Sequence, residues 1–322
     1  MCDTICTVAL KSRGLQQLLH YPREFKFDLI IIDATMGSCF YPLIHRFNYP
    51  ATIAVTTLLL QTTIAYNFGY NLQPAYVPWY GLPYTTDMSL TQRWWNYLVT
   101  YMETAVKNLY HNKLDNESAK KVFGHDIPSV EKLERHISLL LANTDPVLDN
   151  PQGLVPNIIP VGGLHLEKKA KELPQDLETI VGGAKNGIVV FSLGSIVRAD
   201  SLDKQLQKSL LEAFSYLNET IIWKFESEME DLPENVVLRK WLPQSDILGH
   251  PNVKLFIGHA GSLSTQEAIY HGVPLVCLPF AMDQHVNAQN VAHRKLGISI
   301  DYKKITTDYM LENIREVLNN PM

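Results

Sequence analysis

The chain has 322 residues, of which 46% are hydrophobic and 19% charged, and it carries a net charge of −5. This length suggests about two domains, and this composition is typical of a globular protein with an ample core. The negative net charge argues against a nucleic-acid partner, which usually demands a basic face. The sequence contains no run of about 18 apolar residues, so no membrane span is predicted.

The first third predicts the start of an α/β domain. KFDLIIIDA, residues 26–34, is a short apolar run that ends in a polar residue, which is typical of a buried parallel strand. Asp33 therefore falls at the carboxyl end of that strand, where open α/β sheets bind their ligands. A helix over 37–47 and a strand over 51–55 are expected to follow.

An irregular segment and an aromatic helix come next. Residues 71–84, NLQPAYVPWYGLPY, cannot form a regular helix because three prolines interrupt them. Residues 89–112 are predicted to be helical, and their large side chains favour packing in a core or between domains. The alternatives are an acceptor entrance or a face resting on a membrane. These side chains are Trp94, Trp95, Tyr97, Leu98, Tyr101 and Met102.

The second half alternates strand and helix patterns regularly. Residues 143–164 are rich in Pro, Gly and Asn, which predicts a boundary between domains at 1–150 and 151–322. Strands are expected over 187–194, 220–225, 235–241, 253–258, 273–279 and 298–301 (ISID). Helices are expected over 201–217, 287–296 and 307–318, and one more helix is expected to follow the strand 253–258 and to end at 271. Such βαβ alternation predicts a doubly wound parallel sheet, and hence two facing Rossmann-like domains.

FIGHAGSLSTQEAIYHGVPLVCLPFAMDQ, residues 256–284, carries the most informative polar residues. His259 follows a strand, and Gly261 beside it lets a ligand approach the backbone closely. Ser262 or Ser264 is expected to cap the next helix, whose free N–H groups form an anion site. A charge-assisted hydrogen bond from His259 would then hold a phosphate.

Two acids in this stretch have both structural and functional interpretations. Glu267 fits a capping box with Ser264, or else faces a cleft and accepts hydrogen bonds from ribose hydroxyls. Asp283 is either a helix N-cap or, with Gln284, a binder of sugar hydroxyls.

Three further candidates lie at other predicted strand ends. The Trp241 indole could stack on a planar base, although a core position is the alternative. Gln244 could hold a base or a ribose, and Ser195 lies in a small-residue loop suited to phosphate. A stacking ring, a ribose-binding acid, a phosphate site and a sugar site along one sheet edge together indicate a nucleotide-sugar ligand.

Residues 241–284, WLPQSDILGHPNVKLFIGHAGSLSTQEAIYHGVPLVCLPFAMDQ, resemble the signature block of the UDP-glycosyltransferases, and in particular their arthropod branch. GGLH at 162–165, FSLGS at 191–195 and FDLIIIDATMGSCF also fit, so the resemblance covers essentially the whole chain. It implies a GT-B fold in which residues 1–150 bind the acceptor and residues 151–322 bind the UDP-sugar.

The resemblance also implies a role for each candidate. Asp33 orients the catalytic His, Trp241 stacks on uracil, Gln244 holds the uridine, and Glu267 binds the ribose. Diphosphate and sugar contacts then fall to Ser195, His259, Gly261, Ser262, Ser264, Asp283 and Gln284.

The chain departs from the family pattern at several points. The catalytic His is expected before Asp33, but His20 lies in a helix-like LLHYP segment and is not assigned that role. Gln152 replaces a common linker Arg, and Leu263 offers no polar group to a phosphate. The chain has neither a signal peptide nor the family's carboxyl-terminal anchor, so both ends are expected to be truncated.

The implied reaction is an inverting, metal-independent transfer of a hexose, most simply glucose, to a hydroxyl of a small lipophilic acceptor, as in detoxification. The UDP-sugar is a co-substrate and no cofactor is expected. The alternatives are a non-catalytic UDP-sugar-binding fragment and, less consistent with the aromatic region, a UDP-sugar epimerase. The family implies the lumenal side of the endoplasmic reticulum membrane and leaves a homo-oligomer open.

The cysteines and sequons add little on their own. Cys2, Cys6, Cys39 and Cys277 do not have the spacing of a zinc site, and they are interpreted as packed thiols. The glycosylation triplets at Asn116 and Asn218 support a secretory route only weakly, because such triplets often arise by chance.

Overall fold

The computed structural model describes residues 8–22, 24–35, 38–169 and 171–320. They form two compact units. Unit 1 comprises the chain up to Tyr80 and Thr86–Gly162, and unit 2 comprises Gly81–Thr85 and the chain from Gly163 onward. The junction at Gly162 and Gly163 lies inside the Pro- and Gly-rich segment 143–164.

Unit 1 contains a parallel sheet of four strands in the order β1-β2-β3-β4. The strands are β1 Leu29–Asp33, β2 Ala51–Thr56, β3 Leu139–Ala142 and β4 Ile158–Pro160. The helices are α1 Arg13–Leu19, α2 Pro42–Arg46, α3 Thr62–Asn67, α4 Leu90–Val106, α5 Asn112–Phe123 and α6 Val130–Glu134.

One row of apolar partners crosses this sheet and anchors the core of unit 1. Ile32 pairs with Ala54, Ala54 with Leu140, and Leu140 with Ile158. All four residues are buried in one hydrophobic cluster. Because Asp33 directly follows Ile32 and ends β1, this packing fixes the acid at the carboxyl edge of the sheet.

The aromatic helix begins as predicted but buries a different face. Ser89 caps α4 through a complete capping box, and the helix continues through a π-helical turn, Lys107–His111, into α5. The buried side chains of α4 are Asn96 and Thr100. Its aromatic side chains are exposed, with Trp94 66% accessible, so the expectation of core packing was wrong.

Polar bonding explains this reversal. The Asn96 amide donates to the carbonyls of Pro74 (2.8 Å) and Val77 (2.9 Å), and its oxygen accepts from the Trp79 amide (2.6 Å). Those backbone groups lie in the Pro-rich segment, which has no ladder to satisfy them. The helix therefore turns its amide inward and its rings outward.

Unit 2 contains a six-stranded parallel sheet in the order β10-β9-β8-β5-β6-β7. The strands are β5 Ile188–Ser192, β6 Thr220–Lys224, β7 Val236–Arg239, β8 Val253–Gly258, β9 Leu275–Cys277 and β10 Gly297–Ser299. The helices are α7 Gln175–Gly183, α8 Lys204–Ser215, α9 Gln244–Leu248, α10 Ser262–Tyr270, α11 Gln284–His293 and α12 Thr307–Asn319.

Helices cover both faces of this sheet, as the continuous apolar strands predict. Val189 and Phe191 of β5 pack into one cluster with residues of α8 and α12. Ile188 and Val190, which point to the opposite face, pack into a second cluster with residues of α7, α9, α10 and α11. The sheet is thus doubly wound, and its carboxyl edge is left to loops.

Short elements escaped prediction. β3, β4, α3, α6, α7 and α9 were not expected, nor was the twelve-residue α5, and β4 lies inside the segment interpreted as a linker. Within the part of the chain that the structure describes, no helix combines the length and the apolar character needed to cross a bilayer.

Candidate functional site

The loop that follows β8 carries His259 into the start of α10. Ala260 adopts a positive φ of 61°, which changes the direction of the backbone between β8 and α10. Gly261 is the N-cap of α10. A Cβ added at Gly261 would lie 2.5 Å from His259 Nε2, and one added at Gly194 would lie 2.7 Å from Cε1. The loops after β5 and β8 therefore close around the imidazole, and neither has room for a side chain there.

His259 is neutral in this setting. Burial lowers the pKa of its imidazole to about 4, and Nδ1 is buried without a hydrogen-bond partner among the described residues. Desolvation penalises the imidazolium, so a hydrogen bond to a phosphate would come from the neutral imidazole and take its charge assistance from the anion. A buried polar atom left unpaired beside a helix start is a feature that a ligand would explain.

The start of α10 has no side-chain cap. Gly261 has no side chain to accept from the first turn, and the Ser264 hydroxyl donates back to the Gly261 carbonyl (3.0 Å). The Ser262 hydroxyl donates to Asp283 (2.9 Å). Capping by either serine was therefore predicted wrongly. The nine-residue helix begins with N–H groups of the kind that bind anions.

Glu267 does not form the capping box with Ser264. Its Oε2 accepts a 2.6 Å hydrogen bond from Gln244 Nε2, so the two predicted nucleoside-binding side chains meet between α9 and α10. His165 Nε2 lies 3.9 Å from Glu267 Oε1 and 3.2 Å from the Leu263 carbonyl oxygen. His165 was quoted within GGLH but given no role, and its pairing with the acid could not be inferred from spacing alone.

Asp283 faces the junction of α10 and α11. Its Oδ2 accepts hydrogen bonds of 2.9 Å from both Ser262 Oγ and Asn287 Nδ2. Burial raises the pKa of the carboxyl group, and these hydrogen bonds oppose that shift. Its side chain does not cap α11, although the residue occupies the N-cap position. A sugar would therefore have to share this carboxylate with the contacts that fix the start of α10.

Gln284 stabilises the loop that leads into α11. Its Oε1 accepts from the Phe280 amide (2.7 Å) and the Ala281 amide (3.1 Å). Met282, which follows Ala281, has a positive φ of 56°, a conformation that non-glycine residues adopt mainly where surrounding contacts impose it. The Gln284 Nε2 group has no intramolecular partner among the described residues.

Trp241 presents its indole to solvent at the end of β7. The residue is 72% exposed, which excludes the core interpretation. Lys224 Nζ lies 5.8 Å from the centre of the ring and 2.6 Å from Glu226 Oε1. An exposed, cation-flanked indole suits stacking of a planar base. The contribution of Lys224 was missed because a lysine inside a strand pattern gives no distinct signal.

The candidates of unit 2 share one edge of its sheet. Ser195 is exposed in the loop after β5, Trp241 follows β7, His259 follows β8, and Asp283 follows β9. These strands belong to one parallel sheet, so their carboxyl ends meet at the same edge. The edge thus combines an anion-binding helix start, a polar pair and a stacking ring.

Asp33 ends β1 in unit 1 and is held by its own turn. Its Oδ1 accepts from the Thr35 amide (2.8 Å), and the Thr35 hydroxyl accepts from the Thr57 amide (3.2 Å). Farther along the loop, Ser38 donates to Asp115 of α5 (2.5 Å). The Thr35 amide therefore fixes the position of the Asp33 carboxylate at the end of β1.

His20, upstream of Asp33, is exposed and bonds its own helix. Its Nδ1 lies 2.5 Å from the Gln16 carbonyl, at the end of α1. Among the described residues, no cluster of three or more His, Cys, Asp or Glu side chains could hold a metal ion.

The cysteines are not all packed thiols. Cys39 is disulfide-bonded, which corrects that interpretation, whereas Cys277 is a buried free thiol. Cys2 and Cys6 lie outside the described residues.

Comparison with known proteins agrees with this geometry. The family model "UDP-glucoronosyl and UDP-glucosyl transferase" matches residues 1–322. UDP-glucosyltransferase 2 of Dactylopius coccus is 34% identical over 304 residues, covering 92% of this chain and 58% of the relative. Human UDP-glucuronosyltransferase 2B15 is 30% identical over 327 residues, covering 99% of this chain and 59% of the relative. The chain thus spans less than two thirds of these relatives.

The solved structure of the spinosyn forosaminyltransferase SpnP aligns with a TM-score of 0.65 at 17% identity, covering 99% of this chain and 73% of that one. This likeness concerns the fold alone, and together with the two parallel sheets it confirms the GT-B class. With a family model that covers its whole length, the chain belongs to the UDP-glucuronosyl and UDP-glucosyl transferase family.

Proposed function

We propose that this chain binds a UDP-sugar along the carboxyl edge of the unit 2 sheet, as part of an enzyme that transfers a hexose to a small lipophilic acceptor. The observation that carries the proposal is the pairing of Gln244 with Glu267 (2.6 Å) beside the uncapped start of α10. A carboxylate held by an amide suits the paired hydroxyls of a ribose, and the helix start suits a diphosphate.

Each part of the donor finds a partner at this edge. Uracil stacks on the exposed Trp241 ring, and the ribose hydroxyls donate to Glu267, with Gln244 released or shared. The diphosphate accepts from the N–H groups of Gly261 and Ser262 and from His259, with Ser195 contributing from the loop after β5. Gln284 Nε2 and Asp283 contact the hydroxyls of the sugar.

Transfer requires stabilisation of the charge that develops on the leaving UDP. The α10 dipole and the fixed N–H groups supply it without reorganisation, so we propose a reaction that needs no metal ion. The acceptor oxygen attacks the anomeric carbon from the face opposite UDP and inverts its configuration. Its proton passes to a histidine that the family resemblance places before Asp33, and Asp33 stabilises the imidazolium.

A UDP-sugar binder without turnover is the second candidate, favoured by the surroundings of Asp33. His20 is the only histidine among the described residues upstream of Asp33, and its Nδ1 bonds the Gln16 carbonyl of its own helix rather than the Asp33 carboxylate. General base catalysis typically contributes about 10²–10⁴-fold to a rate. We therefore expect the 322-residue chain to bind the donor but to transfer sugar at least about 100-fold more slowly than an enzyme with its base.

For the sugar we propose glucose. A Dactylopius coccus relative is called a UDP-glucosyltransferase and is the more similar of the two compared, at 34% against 30% identity. For the location we propose the lumen of the endoplasmic reticulum, with membrane attachment through a segment outside this chain. The Cys39 disulfide supports an oxidising compartment.

Calorimetric titration with UDP, paired with a glucosyl-transfer assay on a model phenol, tests the proposal. We expect saturable UDP binding that Trp241→Ala weakens by about ten- to a hundredfold, from stacking worth roughly 1–3 kcal/mol. Trp94→Ala, at an exposed Trp on α4 (66% accessible, against 72% for Trp241), is the matched control and should leave the affinity unchanged. Absence of UDP binding by the folded chain would refute the proposal, whereas full transfer activity would refute only the second candidate.

A further inference from the structure

The two glycosylation triplets of the chain lie in opposite structural settings. Asn116-Glu117-Ser118 lies in the interior of α5, whereas Asn218-Glu219-Thr220 spans the turn between α8 and β6. We infer that Asn218 is the N-glycosylation site of the folded protein and that Asn116 stays unmodified. The inference rests on the lumenal location given under the proposed function.

The Asn116 side chain is fully used inside unit 1. Its Nδ2 donates to the Asn112 carbonyl (2.8 Å) and to both carboxylate oxygens of Glu131 (3.1 and 3.3 Å). Its oxygen accepts from the Val130 amide (2.9 Å), at the start of α6. A glycan on Nδ2 would replace one donated hydrogen and push α5 and α6 apart, so a modified chain could not keep this packing.

The Asn218 side chain is exposed, and it makes no hydrogen bond among the described residues. The turn beneath it is nevertheless rigid. Asn235 Nδ2 donates to the carbonyls of Phe214 (2.9 Å), Leu217 (3.1 Å) and Glu219 (3.1 Å). Asn186 Nδ2 donates to the Asn218 carbonyl itself (3.0 Å). Side-chain amides of Asn235 and Asn186 therefore hold the turn through its backbone carbonyls and leave the Asn218 side chain exposed to solvent.

The position in the sheet makes this glycan compatible with donor binding. Asn218 precedes β6, which begins at Thr220, so the turn lies at the amino edge of the unit 2 sheet. The candidate donor loops all follow the carboxyl ends of strands of the same sheet. The five-residue β6 separates the two edges by roughly 16 Å, at about 3.3 Å per residue.

The modification forms a bond between C1 and Nδ2, and it breaks the C1–O bond to the phosphate and one N–H bond of the amide. The Asn218 Nδ2 attacks C1 of an oligosaccharide linked to a lipid pyrophosphate, which the lumenal membrane supplies. The bond from C1 to the phosphate oxygen breaks, the lipid pyrophosphate leaves with the electron pair, and the amide proton passes to solvent. The Thr220 side chain makes no hydrogen bond among the described residues and completes the triplet at the strand's first position.

Expression of all 322 residues behind a cleavable secretory leader in insect cells tests the inference. Folded product, selected by a cooperative thermal transition, is treated with an N-glycosidase and mapped by mass spectrometry. We expect one occupied site, which is lost in Asn218→Gln and in Thr220→Ala. Ser118→Ala, which removes the other triplet while keeping Asn116 and its bonds, should leave the glycan pattern unchanged.

A glycan on Asn116 in the folded fraction, or an unmodified Asn218 in that fraction, would overturn the inference. The glycosylated and the enzymatically deglycosylated protein should bind UDP with the same affinity, within about twofold. A glycan on Asn218 with no UDP binding would leave this inference standing and defeat the proposed function, so the two failures are distinguishable.

Discussion

His259 makes the stability of the protein depend on pH. Burial lowers the pKa of His259 from 6.5 to about 4. Between these two pH values, the imidazole is protonated in the unfolded chain but stays neutral in the folded chain. Stability should therefore be complete above pH 6.5 and fall as the pH drops toward 4. The full effect is about 3 kcal/mol, at 1.36 kcal/mol per unit of pKa.

Urea unfolding at a series of pH values measures this slope. His259→Gln should flatten the part of the curve between pH 6.5 and 4, and His125→Gln, an exposed histidine of unit 1, should leave it unchanged. Identical slopes in the wild type and in His259→Gln would show that the imidazole is not held neutral.

The glycine at the start of α10 offers a second test at the residue scale. Gly261 has an ordinary φ of −66°, so alanine meets no backbone strain, yet its Cβ would lie 2.5 Å from His259 Nε2. We expect Gly261→Ala to displace the imidazole and to weaken UDP binding by about tenfold or more, the loss of one charge-assisted contact of roughly 1.5–3 kcal/mol. Gly153→Ala, where nothing lies within 4 Å of the added carbon, is the control.

Calorimetry with UDP at neutral pH compares the two alanine variants. If Gly261→Ala binds UDP as tightly as the wild type does, the imidazole is not part of the diphosphate site.

At the scale of elements, α4 shows how one polar side chain decides which face of a helix is buried. Asn96 satisfies three backbone groups of the Pro-rich segment and is completely buried. Asn96→Ala would leave those groups unpaired, at about 1–3 kcal/mol for each buried group that water cannot reach. We expect a total loss of roughly 2–4 kcal/mol, since some of the groups will find water.

The free energy of unfolding from urea titration tests this expectation. Asn108→Ala, an exposed asparagine of the π-helical turn, should change it by less than about 0.5 kcal/mol. A small effect of Asn96→Ala would mean that the Pro-rich segment does not depend on α4 for its hydrogen bonds.

The same helix shows what the sequence could not predict. Its aromatic content favoured a core, but burial was set by hydrogen bonds to a segment 17 to 22 residues earlier, which no local period reveals. The apolar strand β5 of unit 2 was predicted well because burial on both faces leaves an unbroken apolar run. β1 was also predicted to be buried, but it lies at the edge of its sheet and leaves Leu29 and Ile31 exposed. β4 and α9, with three and five residues, are too short for a period to show.

In the site, strand ends predicted where the candidates lie, but not how they pair. The position of Glu267 after a Ser suited a capping box as well as a ligand contact. Its bond to Gln244 joins residues 23 positions apart and depends on how α9 and α10 pack. Likewise, spacing does not reveal that Asp283 turns toward Ser262.

At the scale of the whole molecule, two units with separate cores predict two responses to one ligand. The proposed UDP site uses loops of unit 2 alone, so binding should stabilise that unit by RT ln(1 + [UDP]/Kd), about 2.7 kcal/mol at a hundredfold excess over Kd. Hydrogen exchange of the intact chain with and without UDP tests this.

Protection should rise in the loops after β5, β7, β8 and β9 and in the first turn of α10, because ligand contacts suppress local opening there. The strands β1–β4 of unit 1 should exchange at unchanged rates. Trp241→Ala, measured at the same UDP concentration, should lose roughly half or more of the added protection while keeping the baseline pattern, since its binding is about ten- to a hundredfold weaker. Protection that rises in β1–β4 but not at the carboxyl edge of the unit 2 sheet would place the UDP site elsewhere in the chain.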